Sequence, residues 1–469
     1  MSYSNCSVQT NFNQKQHNYL NIENENNKFI DLFAGCGGLS LGLLISGWRG
    51  LFAVEKNEDA FKTLSHNLLL AESQNQSNLQ YDWPSWMAKK THDIHSFIDE
   101  YQDRLRELRG LVQLVAGGPP CQGFSFAGKR NEEDSRNELF KQHLEIVDII
   151  KPEFVLLENV QGIDTAFKTS KSRSKLDDRK RRDSYSVRIK GELGKLGYYV
   201  QQEPLKAADF GVPQLRTRYF TIGIRKDLFS KDNVPNFFEL LHSRRLNFLK
   251  ARGLPVNRYI SASEAISDLE TVGKNITDCN DSESRLGYKE ISYEKPTTHY
   301  QKLMHGNLRG YTLNSLRLVN HRQKTIDRFV EIHRTCRKGV TLSSKDRERL
   351  GIRKTAVVPL DPDLPSHTIT TIPDDIIHYS EPRVHTVREY ARFQSFPDWF
   401  EFRGKYTTGG HRRAHECPRY TQVGNAVPPL IAEAIGETLT ELIRMAKKQE
   451  AEGCCEIILS YGVVRNATS

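Results

Sequence analysis

The sequence predicts an α/β protein: a mostly parallel, doubly wound sheet with a second, smaller domain. Three features carry this expectation. Short apolar runs alternate with amphipathic stretches of helical spacing through the first half of the chain. A glycine-rich turn, Gly35 to Gly38, follows the first of those runs. From about Asp227 to Arg383 the rhythm stops, and the sequence becomes polar and rich in Arg, His, Asn and Thr.

Taken in order, residues 1–28 are dominated by Asn, Gln and Ser and read as a disordered lead, without the apolar core of a signal peptide. Phe29–Phe33 is a short strand, and a helix starts after the glycines at Leu39–Ile45. Leu51–Val54 is a second strand ending in Glu55, followed by a helix over Ala60–Leu70. Leu111–Ala116 and Phe154–Leu157 are further strands, separated by a helix around Leu139–Ile150, and Tyr219–Ile224 is another. Strands alternating with helices imply a sheet covered on both faces. Later, His321–His333 is helix-like, and Val384–Phe393 and Pro428–Met445 are amphipathic helical stretches.

A chain of 469 residues has room for two or three domains. No apolar run is long enough for a membrane span, so no membrane partner is expected. Eight scattered cysteines form no C-x-x-C pair, which argues against a zinc site and fits a reducing cytoplasm. The net charge of +9 permits a polyanionic partner without identifying one. Between Asp164 and Lys190 ten lysines and arginines face only four aspartates. That stretch reads either as a solvated insertion or as a phosphate contact.

The most informative segment is Val115–Ser125. It sets Cys121 directly behind Pro119 and Pro120 at the end of a buried strand. The prolines fix the backbone and remove two N–H donors, so neither helix nor strand absorbs the cysteine. Such a thiol is either a nucleophile or an inert turn residue. In Asp31–Gly38 the glycines allow a ligand close to the backbone, although Ser40 stands where a dinucleotide fingerprint has its third glycine. Glu55, ending the next strand, is placed for both hydroxyls of a ribose, and Asp93 could accept from an adenine amine or form a turn. Glu158 ends a buried strand and could donate a proton or cap the next helix. Arg216 and Arg218 alternate ahead of Tyr219, which sends both guanidiniums to one side, to meet a carboxylate, a carbonyl oxygen or a phosphate, or else to lie on a solvated edge strand.

In order and content these segments resemble the DNA (cytosine-5)-methyltransferase family, particularly the bacterial enzymes of restriction–modification systems. The matches are Phe29–Gly38, Phe52–Asn57, Asp93 with Ile94, Gly117–Ser125, Phe154–Val160, Gln214–Arg218, Val387–Pro397 and Gln422–Pro429. They span nearly the whole chain. The resemblance implies a Rossmann-like, S-adenosylmethionine-dependent methyltransferase fold over 29–226. A target-recognition domain and its scaffold would occupy 227–419, a helix over 420–447 would return to the first domain, and 448–469 would be a tail.

The resemblance also implies site residues. S-adenosylmethionine would lie over Phe33, Gly35 and Gly37, with Glu55 on the ribose, Asp93 and Ile94 at the adenine, and Pro120 and Asn425 completing the pocket. Lys56 departs from the family, which often has an aromatic residue there. Cys121 would add to carbon 6 of a flipped-out cytosine, Glu158 would contact N3 and the exocyclic amine, and Arg218 would meet the base carbonyl with Arg216 in support. Gln122 and Ser125 would lie on a mobile DNA-facing loop continuing to about Phe140. Candidate base readers in the variable domain are Arg309, Asn314, Arg317, Asn320 and His321. Glu381–Phe402, read as helical, and Pro365–Thr371 would scaffold that domain. The insert Arg403–Arg419, with Lys405, His411, Arg412, Arg413 and His415, would touch DNA or form a long loop. The expected partner is double-stranded DNA, bound by a monomer, with a cognate restriction endonuclease encoded nearby.

Two rivals are weaker. An RNA-modifying relative would have a compact variable region and a Cys-Phe-Thr element, and neither is present. A non-catalytic relative would lack a member of the Cys121, Glu158, Arg218 set, and none is missing.

Overall fold

A computed structural model describes residues 27–70, 79–119, 137–160, 184–306, 313–408, 412 and 416–465. The first half is built from β1 (Lys28–Leu32), α1 (Gly38–Ile45), β2 (Arg49–Val54), α2 (Glu58–Leu68), α3 (Ile94–Glu107), β3 (Leu114–Gly117), α4 (Asn137–Ile150) and β4 (Phe154–Val160). It continues with α5 (Tyr185–Lys195), β5 (Tyr198–Lys206) and β6 (Thr217–Arg225). These strands form one sheet in the order β2-β1-β3-β4-β6-β5. β2, β1, β3 and β4 run parallel, whereas β6 is antiparallel to both its neighbours.

Strand alternation explains the unbroken apolar runs. Phe29, Leu114, Ala116, Phe154 and Leu156 face one core, and Ile30, Leu32, Val115, Val155 and Leu157 face the other. Both faces are dry, so every position along the strand must be apolar. Asp31 in β1, Asn159 in β4 and Thr221 in β6 are buried exceptions.

Some boundaries move. β3 begins at Leu114 rather than Leu111, because Leu111 is 54% exposed and belongs to the turn after α3. The sequence reading lacked α3, α5 and β5. α5 begins inside the basic stretch 164–190, capped by Ser184, and buries Tyr185, Ile189 and Leu193 at four-residue spacing. Val187, on the outer side of the same helix, is 50% exposed. β5 escaped because it is an edge strand carrying Gln201, Gln202, Glu203 and Pro204, a composition edges tolerate and central strands do not.

The later region has shorter elements: α6 (Phe237–Ala251), α7 (Ala262–Ile266), a hairpin of β7 (Ile276–Asp278) and β8 (Lys289–Ile291), α8 (His299–His305), α9 (Gln323–Thr335) and α10 (Ser344–Arg349). β9 (Val358–Pro359) pairs with β10 (Ile376–Ile377), and α11 (Val387–Phe393), α12 (Arg419–Asn425) and α13 (Pro429–Arg465) complete the chain. The helical reading of Glu381–Phe402 is corrected to the seven residues of α11, which starts at a Thr386–Glu389 capping box. α11 is not amphipathic either. Arg388, Glu389 and Arg392 are all buried, Arg392 between Asp398 at 2.5 Å and Asp268 at 3.2 Å, because pairing replaces their lost hydration.

α13 begins one residue after the start of the expected Pro428–Met445 stretch and extends to Arg465. Its close approach to α1 requires Gly42, where a Cβ would stand 2.4 Å from Ala432 Cβ. Trp48 locks the contact by donating Nε1–H to Gly436 O. Among the described residues no helix is long and apolar enough to cross a membrane.

Candidate active site

The chemistry-bearing residues gather at one edge of the sheet. The turn after β1, Glu55 after β2 and Gly118 after β3 all stand at carboxyl ends of parallel strands, where open α/β sheets place their ligands. Because β6 runs the other way, its amino end lies beside the carboxyl end of β4, with Arg218 opposite Val160. A cavity of about 570 Å³ joins these positions.

At one end of the cavity the backbone after β1 is left-handed at Phe33 (φ 61°), Gly35 (φ 57°) and Gly37 (φ 93°). For a phenylalanine this conformation costs roughly 1–2 kcal/mol, which the surrounding structure must offset. Above Gly35 there is open space where a Cβ would stand. Glu55 is fixed by this turn: Oε2 accepts from Gly35 N at 2.8 Å and Oε1 from Asn57 N at 2.6 Å. Burial pushes its carboxyl above the usual range, against the pull of those N–H groups. Asp93 caps α3 by accepting from His95 N at 3.0 Å, and Lys56 Nζ lies 2.7 Å from its other oxygen. That lysine holds the Asp93 carboxyl below its ordinary value. Ile94 and Asn425 also line the cavity, whereas Gly37 does not and stands at the N-cap of α1.

Asp31 is a site residue the sequence reading passed over. It sits at the end of β1 and lines the cavity. Ser40 donates to its Oδ2 at 2.5 Å, and Tyr81 in turn donates to Ser40. Oδ1 is buried with no partner, and burial raises the carboxyl to about 7. The signal was available: an acid within a strand otherwise apolar on both faces.

At the other end, Arg218 Nε lies 2.9 Å from Glu158 Oε1, and both side chains are less than one-fifth exposed. Burial pulls Arg218 below its usual value while Glu158 holds it up. Arg216 lines the same cavity but is committed elsewhere, donating to Ile369 O at 3.3 Å and Gly424 O at 3.0 Å. Gly424 permits that join, since a Cβ there would stand 2.4 Å from Thr370 O. Gln214 binds the same segment, accepting from Ile369 N at 2.9 Å.

The described ends of the Arg403–Arg419 insert fold back onto the molecule. Glu416 and Cys417 line the cavity, Lys405 pairs with Glu416 at 2.9 Å, and Gln422 donates to the carbonyls of Asp59, Arg403 and Cys417. Burial raises Cys417, and it raises Cys36, also in the lining, to about 12, so both are thiols rather than thiolates at neutral pH.

Pro120, Cys121, Gln122, Ser125 and Arg309 lie outside the described residues, as do Lys168–Arg182 and His411, Arg413 and His415. Gly118 and Pro119 line the cavity. Of the other expected base readers, Arg317 is held between the rings of Tyr288 (4.0 Å) and Tyr406 (3.7 Å). Asn314 Oδ1 accepts from Phe402 N at 3.0 Å, His321 Nε2 accepts from Val384 N at 3.2 Å, and Asn320 is exposed. None of these four lines the cavity.

Comparison with known proteins matches residues 27–441 to the family described as C-5 cytosine-specific DNA methylase. The chain is 32% identical to the type II methyltransferase M.DdeI of Desulfomicrobium norvegicum, over 88% of each protein. It is 30% identical to the type II methyltransferase M1.HphI of Haemophilus parahaemolyticus, over 88% of this chain and 87% of that one. In fold it is similar to an E. coli protein described as a DNA modification methyltransferase encoded within a prophage, with a TM-score of 0.58 and 23% identity. That alignment covers 89% of this chain and 99% of the other.

Proposed function

The chain belongs to the C-5 cytosine-specific DNA methylases and is a DNA (cytosine-5)-methyltransferase, and from that premise we propose which of its residues carry the reaction and how. The supporting observation is the single cavity with the Glu55 turn at one end and the Glu158–Arg218 pair at the other.

The first end fits S-adenosylmethionine. Each Glu55 oxygen accepts one N–H and keeps a lone pair for a ribose hydroxyl. Asp93 and Ile94 would face the adenine, Phe33 and the open space over Gly35 would receive the rest, and Asn425 would complete the pocket, with Pro120, outside the described residues, assigned to it by the family motif alone. The orphaned Asp31 Oδ1 is a buried acceptor awaiting a donor. When bound, the cofactor supplies a methyl group on an electrophilic sulfonium.

At the second end the substrate is a cytosine flipped out of duplex DNA, because its reacting carbon is inaccessible in the stack. The Cys121 thiolate adds to carbon 6, forming a C–S bond and moving an electron pair towards N3 and carbon 5. Glu158 holds a proton at N3 and accepts from the exocyclic amine, which stabilises that charge. Arg218 binds the base carbonyl and fixes Glu158, and Arg216 secures the strand end to Ile369 and Gly424. Carbon 5 would take the methyl group as its bond to the sulfonium breaks and a neutral thioether is left; carbon 5 then loses its proton to solvent, the C–S bond to Cys121 breaks and the thiolate leaves. Biologically the chain is the protective half of a restriction–modification system, acting as a monomer on double-stranded DNA in the bacterial cytoplasm, beside a cognate endonuclease encoded nearby.

The test is duplex DNA with fluorine at carbon 5 of the target cytosine, which blocks proton loss. Wild-type protein should be trapped covalently and the Cys121→Ser variant should not. An adduct that survives the substitution removes Cys121 from this role.

A further inference from the structure

The strongest charge concentration among the described residues lies far along the chain from the cavity-lining motifs. Between His321 and Ala356 stand eleven lysines and arginines against four acids, seven of the net nine positive charges of the whole chain. This segment is folded. α9 and the segments flanking α10 share a small core of their own, built on Phe329, Ile332, Leu342 and Val357 with Ile377 and Val384.

Only three of the eleven cations are ion-paired among the described residues. Arg334 and Arg349 share Glu331 at 2.8 and 3.0 Å, and Lys354 reaches Asp375 at 3.0 Å. The other eight have no carboxylate within 4 Å among the described residues, and Arg322, Lys324, Arg337, Lys345 and Arg353 are exposed. Unneutralised charge of one sign around a compact unit repels itself, so its retention calls for a polyanion.

The unit is also braced against the cavity. Lys354 binds Asp375, Asp375 accepts from Thr370 Oγ1 at 2.6 Å, and the neighbouring Ile369 carbonyl accepts from Arg216. His367 Nε2 lies 2.8 Å from Gly339 O between α9 and α10. The 366–375 segment therefore spans from this basic unit to the strand end bearing Arg218.

We propose that the α9–α10 unit is a phosphate-binding surface that grips the duplex backbone to one side of the target base and supplies sequence-independent affinity. The inference rests on duplex DNA being the substrate. Phosphates rather than bases are the match. The cations are long, most are exposed, and none is pre-aligned by stacking as Arg317 is. Duplex DNA presents one negative charge per about 1.7 Å of axis, a target that spread-out point charges can follow.

The test is anisotropy titration of the full chain on a labelled duplex over a series of salt concentrations, comparing wild type with K324Q/R337Q/K345Q/R353Q. Affinity should fall equally for duplexes with and without the target sequence. The slope of log affinity against log salt should flatten by about 0.9 for each phosphate that is no longer neutralised. Shortening the duplex on one flank should reproduce the loss in wild type and add nothing in the variant. The charge-keeping set K324R/R337K/K345R/R353K should retain wild-type binding. Unchanged affinity and slope, or a loss confined to the target sequence, overturns the proposal. Should the fourfold variant melt early, the pairs K324Q/R337Q and K345Q/R353Q are read the same way. Calorimetric binding of S-adenosylmethionine by each variant monitors the cavity. A wild-type chain that methylates no duplex overturns the substrate assignment instead.

Discussion

The sheet region and the region after it are held together by opposite means. From Lys28 to Arg225 the two cores flanking the strands are apolar, and apart from the Glu158–Arg218 pair at the cavity, ion pairs such as Arg49–Asp82 lie outside. After Arg225 the charges go in. Arg392 is enclosed with Asp398 and Asp268, Arg383 with Glu389 and Glu381, and Arg419 with Asp281 and Glu283. Apolar packing is undirected, so a strand edge can carry chemistry without depending on one partner. A buried pair is directed, and losing one partner strands the other. The comparison teaches that the first region fixes the reacting groups through its backbone, and the second fixes its shape through particular side-chain pairs.

The largest effect that could break this contrast is on chemistry. Glu158→Gln should lower the single-turnover rate by about 10²–10⁴-fold while the melting temperature stays near wild type. A rate within a few-fold of wild type would take Glu158 out of the reaction. Next is stability in the second region: Asp398→Asn should cost about 3–5 kcal/mol in denaturant titrations, because Arg392 then lacks its closest acceptor. The matched change Asp82→Asn, on an exposed pair, should cost no more than about 1 kcal/mol. Equal losses would erase the distinction.

Asp31 sharpens it further, as a carboxyl buried within the first strand of the sheet. Its carboxyl is raised from 3.8 to about 7, so between those values the folded chain binds a proton the unfolded chain releases. Its contribution to stability is therefore full below about pH 4, falls as pH rises, and is lost above about pH 7, an effect of a few kcal/mol. Asp31→Asn should flatten that part of the stability profile; an unchanged profile would mean the group is ionised in the fold. A smaller effect is expected on cofactor affinity. Glu55→Ala should weaken S-adenosylmethionine binding by about 1–3 kcal/mol in calorimetry, with DNA affinity in its absence unchanged.

The same contrast explains what the sequence disclosed. Phe29–Phe33, Phe154–Leu157 and Tyr219–Ile224 were legible because burial on both faces leaves an apolar run that needs no knowledge of neighbours. β5 and α5 were missed because an edge strand and a helix beside a basic stretch dilute that pattern. α11 was read as part of a longer amphipathic helix because its arginines and Glu389 look solvated until Asp398, Asp268 and Arg383 are brought to them. At the candidate site, Glu55, Glu158 and Arg218 were legible as polar residues at strand ends. The orphaned oxygen of Asp31 was not, because it arises from packing around β1.

The reversal of β6 has one more consequence. Glu158 and Arg218 belong to adjacent strands of one ladder, in which Glu158 pairs with Phe220 and Val160 with Arg218. Side chains alternate along a strand, so slipping β6 by a single residue would carry Arg218 to the far side of the sheet. Deleting one residue within Tyr219–Ile224 should therefore be far more harmful than adding one between Phe229 and Asn236, although neither touches a reacting group. The spacing of the acid–guanidinium pair is set by hydrogen-bond register, and variation can accumulate in the segments beyond the strand ends without detuning it.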